Sequence, residues 1–409
     1  MRQGSATLTT LPRPVKHKRR FSPVRILIIV LAIVLVAGGL FYAVGGWHFS
    51  NVLRDGALIP EGPGSPEYDI VVEAVDDGTI ILAGSDEDDH LRAAGVYGVA
   101  WPDGYGQTSE LVSAEPAGDG RTRVVRTFRP IAGTLTTSEM VDLDGYAYPD
   151  DPTAAFGVTY ADLTYETDLG AADMWYLPGD TPVWMIFVHG KDAPKREAMR
   201  LLPVAIDRGY HSLVINYRND PGAPSDPSGY HQYGLTEWAD VSAAARFARS
   251  NGAQQTVFVG YSMGGGIVAS FLSQGPLRNQ AVAAILDAPN LDFESTVDFR
   301  GANRDLPLIG VGVPESLVSV AKWMGGWRFD LDWDDYNWIA RSDDMHIPIL
   351  IFHGTADESV PLATSQLFQR ERPDLVTLIE TPAGHVLSWN TDPERYITEV
   401  TAFLDEHVG

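Results

Sequence analysis

Apolar positions along this chain follow three rhythms in succession. The first is an unbroken run, "ILIIVLAIVLVAGGLFYAV" from Ile26 to Val44, nineteen residues without a charge or a proline. At a rise of about 1.5 Å per residue, such a helix just crosses a hydrocarbon core of about 30 Å, which predicts a transmembrane helix over 26–46. Residues 48–67 then carry Gly and Pro without a period and read as a stalk. The second rhythm is short and alternating: "YDIVVEAV" at 68–75, "TIILAG" at 79–84, "GVYGVAW" at 95–101 and "TRVVRTF" at 122–128. Acidic or glycine-rich turns separate these runs, as expected of strands in a small β-rich unit.

The third rhythm begins near residue 158. A hairpin pattern leads into "PVWMIFVHG" (182–190), an apolar run of the length of a fully buried strand. Helical stretches at 195–209, 237–252, 264–274 and 392–406 then alternate with "HSLVINYRND" (211–220), "QTVFVGYS" (255–262), "AVAAILDAP" (281–289), "IPILIFHGTAD" (347–357) and "LVTLIETPAGH" (375–385). Strands alternating with helices of that length predict an α/β domain, a mostly parallel sheet with helices on both faces. The chain thus divides into a basic tail (1–25), the membrane-length helix (26–46), a stalk and small β-rich region (47–157), and an α/β domain (158–409) with an irregular insert at 294–346.

Charge sharpens this picture. Residues 1–25 hold seven Lys/Arg and no acid, whereas the rest of a chain of net charge −24 is strongly acidic. A basic flank before the apolar run predicts a cytoplasmic N-terminus and a body outside the cell membrane, held by a single pass. Ala43-Val44-Gly45 is a candidate cleavage site, but the run exceeds the roughly 7–15 apolar residues of a signal core, which favours an uncleaved anchor. The acidic body repels phosphates, which excludes nucleic acid as a partner. With no cysteine in the chain, disulfides, thiolate metal sites and cysteine nucleophiles are excluded. "RTRVVRTFRP" (121–130) reads as a strand with an exposed basic face, and "DEDDH" (86–90) as a solvated loop. Asp330, Asp332 and Asp334 have calcium-loop spacing, but Asp335 stands where Gly belongs and Arg341 where a bidentate Glu belongs, so that site is rejected.

The chemistry lies at strand ends. In "VGYSMGGG" (259–266), Ser262 sits between a strand and a helix, with Gly260 and Gly264 leaving room for a sharp turn. Alone, the same stretch could be a tight connection. Asp357 follows a later strand in "HGTADESVP" and His385 follows the next in "AGHV", giving the order nucleophile, acid, base.

Taken together, "FVHG", "NYRND", "GYSMGG", "LDAP", "FHGTADESVP" and "AGH" resemble the α/β-hydrolase superfamily over 158–409, specifically membrane-anchored bacterial serine hydrolases of the esterase/lipase-like branch. The resemblance implies that the insert is a cap, that no cofactor or metal is needed, and that Ser262, Asp357 and His385 form a triad acting on a small-molecule or lipid-like carboxylic ester. Asp287 is the rival acid, since some relatives place it after that earlier strand. The oxyanion would be held by the backbone amides of Met263 and Lys191. His189 would shape the adjoining loop or touch substrate, and Trp323 and Trp327 of the insert would line its pocket or pack the cap. A peptidase or acyltransferase with the same triad, and a non-catalytic envelope binding protein, remain alternatives. Dehalogenase chemistry needs Asp where Ser262 stands.

Overall fold

In the computed structural model the apolar run Ile26–Val44 belongs to a helix, Pro23–Leu53, whose membrane-length window has no buried residue. The structure describes residues 22–85, 89–118, 120–307 and 310–408; most of the basic tail and the acidic residues 86–88 lie outside them. Among the described helices this one is long and apolar enough to cross a membrane.

The stalk expected from residue 48 is instead ordered and partly buried. The helix continues to Leu53, and a π-helical turn, Arg54–Leu58, seats Ala57 and Leu58 in the core of the α/β domain. The carbonyl of Leu58 accepts from the His231 amide at 2.8 Å, and that of Ala57 from the Tyr233 hydroxyl at 3.0 Å. Glycine and proline flag a break in periodicity, but here neighbouring elements supply the order that local pattern lacks.

The alternating runs form a closed antiparallel barrel of six strands: β1 (Ile70–Asp76), β2 (Thr79–Ser85), β3 (Tyr97–Trp101), β4 (Gly104–Gly118), β5 (Arg121–Ala132) and β6 (Met140–Asp144), in the order β1-β2-β5-β4-β3-β6. Val72, Ile80, Leu82, Val99 and Val124 fill its interior. The exposed basic face expected for β5 holds only in part. Arg123 pairs outside with Glu73 at 2.5 Å, but Arg126 falls on the inward parity and is fully buried. Its guanidinium donates to the carbonyls of Ala93 (2.8 Å) and Gly95 (2.9 Å), so a buried charge holds one loop in place.

The second sheet has eight strands: β7 (Ala161–Glu166), β8 (Ala171–Leu177), β9 (Val183–Val188), β10 (His211–Ile215), β11 (Gln255–Tyr261), β12 (Ala281–Asp287), β13 (Ile349–Gly354) and β14 (Val376–Thr381). Their order is β14-β13-β12-β11-β9-β10-β8-β7, parallel except for β7 and β8. β9 is buried along its whole length, because "VWMIFV" offers apolar side chains to both faces. Trp184, Ile186 and Val188 pack under the helices Trp238–Ser250 and Met263–Gln274. Val183, Met185 and Phe187 pack under Leu202–Asp207 and Pro393–His407. The last of these starts at an Asp392 N-cap with proline behind it, and buries Tyr396, Val400 and Leu404 at helical spacing.

The insert between β12 and β13 contains two helices, Phe293–Ala302 and Glu315–Phe329, the second lying along the apolar helix. The barrel is clamped to the other side. Arg196 reaches Asp144 at 3.1 Å, and the Asn390 amide donates to the carbonyls of Val96 and Gly145, both at 2.7 Å.

Candidate active site

β11 ends on a turn that L-residues rarely accept: Ser262 has φ 49° and ψ −116°. Such strain costs on the order of 1–3 kcal/mol and persists only where the surroundings impose it. Here the Ser262 amide donates to the Asp287 carbonyl and its own carbonyl accepts from the Asn290 amide, both at 2.9 Å. The following helix also presses onto β9. A Cβ on Gly264 would lie 2.2 Å from the Val188 carbonyl oxygen, so no other residue fits there.

Strained in this way, the serine hydroxyl meets the loop beyond β14. His385 Nε2 lies 2.8 Å from Ser262 Oγ, and its Nδ1 lies 2.7 Å from Asp357 Oδ2. With Nδ1 donating to the carboxylate, Nε2 is left as the acceptor for the serine proton. Asp357, in the loop after β13, is itself held by the amides of Ser359 (2.8 Å) and Val360 (2.9 Å) on its other oxygen. Burial pushes its carboxyl up, but hydrogen bonds from His353 and His385 and from the Val360 amide outweigh that and hold it well below the usual carboxylate range.

Sequence pattern alone does not single out His353. It lies fully buried behind Asp357, with Nε2 at 3.3 Å from Asp357 Oδ2 and 3.1 Å from the Val360 carbonyl. Its Nδ1 meets Ser365 Oγ at 2.8 Å. The one signal it offers is its place in "FHGTAD", four residues before the acid. The rival acid is elsewhere. Asp287 is buried, bonds the Tyr396 hydroxyl at 3.2 Å, and makes no hydrogen bond to His385 among the described residues. Burial, opposed by Arg200 and Tyr396, pushes its carboxyl up to about 6.

The loop after β9 faces Ser262 from the other side. Glu197 accepts from the Gly190 amide at 2.7 Å, and the Tyr217 hydroxyl donates to the carbonyls of His189 (3.0 Å) and Gly190 (3.1 Å). His189 stacks on Tyr217, faces Asp220 at 3.1 Å and is buried away from the cavity, so it shapes this loop and does not line the site. The backbone amides of Lys191 and Met263 donate to no other group among the described residues, and both residues border the cavity. Trp323 and Trp327 do not line it. They are 69% and 76% exposed on the outer side of the Glu315–Phe329 helix.

The cavity over Ser262 and His385 measures about 450 Å³. Tyr233, Thr296 and Arg300 border it on the insert side, and His90, Gly145 and Tyr146 from the barrel side. The barrel wall was not legible from the sequence, which offered no reason to bring residues 90 and 146 to a site built from 262 and 385.

Comparison with known proteins gives this geometry a family. The model of the alpha/beta hydrolase family matches residues 185–399. An esterase of Pyrococcus furiosus, Pf2001, is similar at 21% identity and a TM-score of 0.51, over 63% of this chain and 96% of that one. A second crystal form of it gives 20% identity and a TM-score of 0.51, over 63% of this chain and 95% of that one. An esterase domain from a Rhodothermus marinus protein is 19% identical over 62% of this chain and all of its own length, with a TM-score of 0.41. At these identities the solved structures speak for the fold alone. The family match, which spans more than half of the chain from β9 to the last helix, identifies it as a member of the alpha/beta hydrolase family.

Proposed function

We propose that the protein is a serine hydrolase that cleaves carboxylic esters through an acyl-enzyme, with Ser262 as nucleophile, His385 as base and Asp357 as acid. The observation that carries this reading is the unbroken hydrogen-bonded chain from Asp357 through His385 to a hydroxyl on a strained turn.

In the proposed reaction, Ser262 Oγ bonds to the ester carbonyl carbon as its proton passes to His385 Nε2. Asp357 stabilises the resulting imidazolium. Negative charge on the carbonyl oxygen is met by the Lys191 and Met263 amides, the second at a helix N-terminus, each worth about 3 kcal/mol in the transition state. Collapse breaks the C–O bond to the alcohol, whose oxygen takes the proton from Nε2. Water, deprotonated by His385, then attacks the acyl carbon; the bond to Ser262 Oγ breaks, Oγ takes the proton back from Nε2, and the acid is released.

The domain boundaries belong to the same reading: residues 26–46 anchor the chain in the cell membrane, and the catalytic domain 158–409 lies outside it with 294–346 as cap. Fluorophosphonate labelling tests the nucleophile. Ser262→Ala should fold and take no label, and persistent labelling at another serine would exclude the assignment. Protease added to intact cells should digest the chain beyond residue 58 and spare an N-terminal tag.

A further inference from the structure

A second, mostly apolar cavity, with Arg304 and Lys322 also in its lining, adjoins the one over Ser262. It is a narrow slot of about 80 Å³, and the two share Gly56, Thr296 and Arg300 as boundary. Phe49, Val52 and Leu53 of the apolar helix form one wall, and Val297, Val313 and Ala321 of the insert help form the other. One wall of the slot therefore belongs to the helix that is long and apolar enough to enter a membrane.

The helix pair that frames the slot is closely fitted. A Cβ on Gly46 would come within 2.7 Å of Val320 Cγ1, so the Glu315–Phe329 helix seats directly on the backbone there. The Tyr42 hydroxyl meets Ser316 Oγ at 2.8 Å, and the Arg328 guanidinium lies 3.7 Å from the centre of the Trp47 ring. Val52 is eight residues past the last residue of the apolar run, about 12 Å along a helix. Trp47, Trp323 and Trp327 are all exposed on this pair. Tryptophan favours the headgroup level of a bilayer, where its ring is apolar and its N–H is wet. Arg300, on the shared boundary, makes no ion pair among the described residues.

We propose that the slot between the apolar helix and the cap is the acyl-chain site, so that the substrates are long-chain carboxylic esters drawn from the membrane. This rests on the serine hydrolase reading above. The chain lies among Phe49, Val52, Val297, Val313 and Ala321, its ester reaches Ser262 past Thr296 and Arg300, and the alcohol portion occupies the wider, more polar cavity. Apolar lining rewards each methylene of a chain that it removes from water.

The test uses the full chain in phosphatidylcholine vesicles and a fluorophosphonate bearing a twelve-carbon alkyl chain ended by a diazirine. After reaction at Ser262 and photolysis, cross-links are expected within 49–57 and 293–321. Cross-links confined to the barrel residues around His90 and Tyr146 would overturn the acyl-site assignment while leaving the nucleophile intact. Absence of reaction at Ser262 would instead overturn the hydrolase reading, and the inference with it. In addition, Val297→Trp and Ala321→Phe should each lower the ratio of kcat/KM for p-nitrophenyl dodecanoate to that for p-nitrophenyl acetate at least tenfold. An unchanged ratio in folded protein would also overturn the proposal.

Discussion

Two aspartates at or just beyond the ends of neighbouring strands differ in what surrounds them, and the proposed roles follow that difference. Asp357 is met by His385, His353 and two amides, all of which favour the carboxylate. Asp357→Asn should leave the imidazole in the wrong tautomer and lower turnover about 10⁴-fold, near 5 kcal/mol of barrier, measured on any accepted ester. Asp287 is the opposite case. Its carboxyl titrates near 6 in the fold, above the value of about 3.9 expected in the unfolded chain. The folded state therefore holds the proton more tightly, and the associated stability is complete below about pH 4 and lost as pH rises through 6. Ionised Asp287 then costs about 3 kcal/mol at pH 8, which Asn avoids while still accepting from Tyr396. Asp287→Asn should match or exceed the parent in melting temperature at pH 8, lose that advantage by pH 4, and retain turnover.

Among the helices and strands, the contact between the apolar helix and the cap helix is the one most exposed to a single change. Gly46 has no room for a side chain against Val320 and Met324. Gly46→Leu should overpack this seam, costing about 1–3 kcal/mol, and should free the cap helix before the sheet melts. Hydrogen exchange read separately for 315–329 and for β9 would detect that: protection should fall in the first and persist in the second. Uniform loss in both would mean that the seam is not an independent element.

In the assembled fold, three bodies meet at one cavity: the membrane-length helix with its cap, the parallel sheet and the barrel. Arg200 ties them on the barrel side, donating to Asn390 Oδ1 at 3.2 Å, while Asn390 holds the carbonyls of Val96 and Gly145. Asn390→Ala should leave those half-buried carbonyls without this donor, at about 1 kcal/mol, and should loosen the barrel from the sheet. Limited proteolysis between residues 145 and 160 should become faster in that variant, with Ser262 still labelled. Unchanged cleavage would show that Arg196 and the packing alone hold the barrel in place.

Strand period, helix period and turn glycines are local properties, so the parallel sheet, the membrane-length helix and the elbow at Ser262 could be read directly from the chain. His385 and Asp357 were legible as candidates because a parallel sheet delivers every carboxyl strand end to one edge. Partners distant in the chain settled the rest. The stalk became helix because residues 45–53 found the cap helix, and "HFSNVLRDG" carries no sign of that neighbour. Arg126 went inside because barrel closure turned its face inward, and Trp323 and Trp327 went outside because composition counts aromatics without assigning them a side. His353 behind the acid, and the barrel wall of the cavity, arise from contacts that no local period encodes.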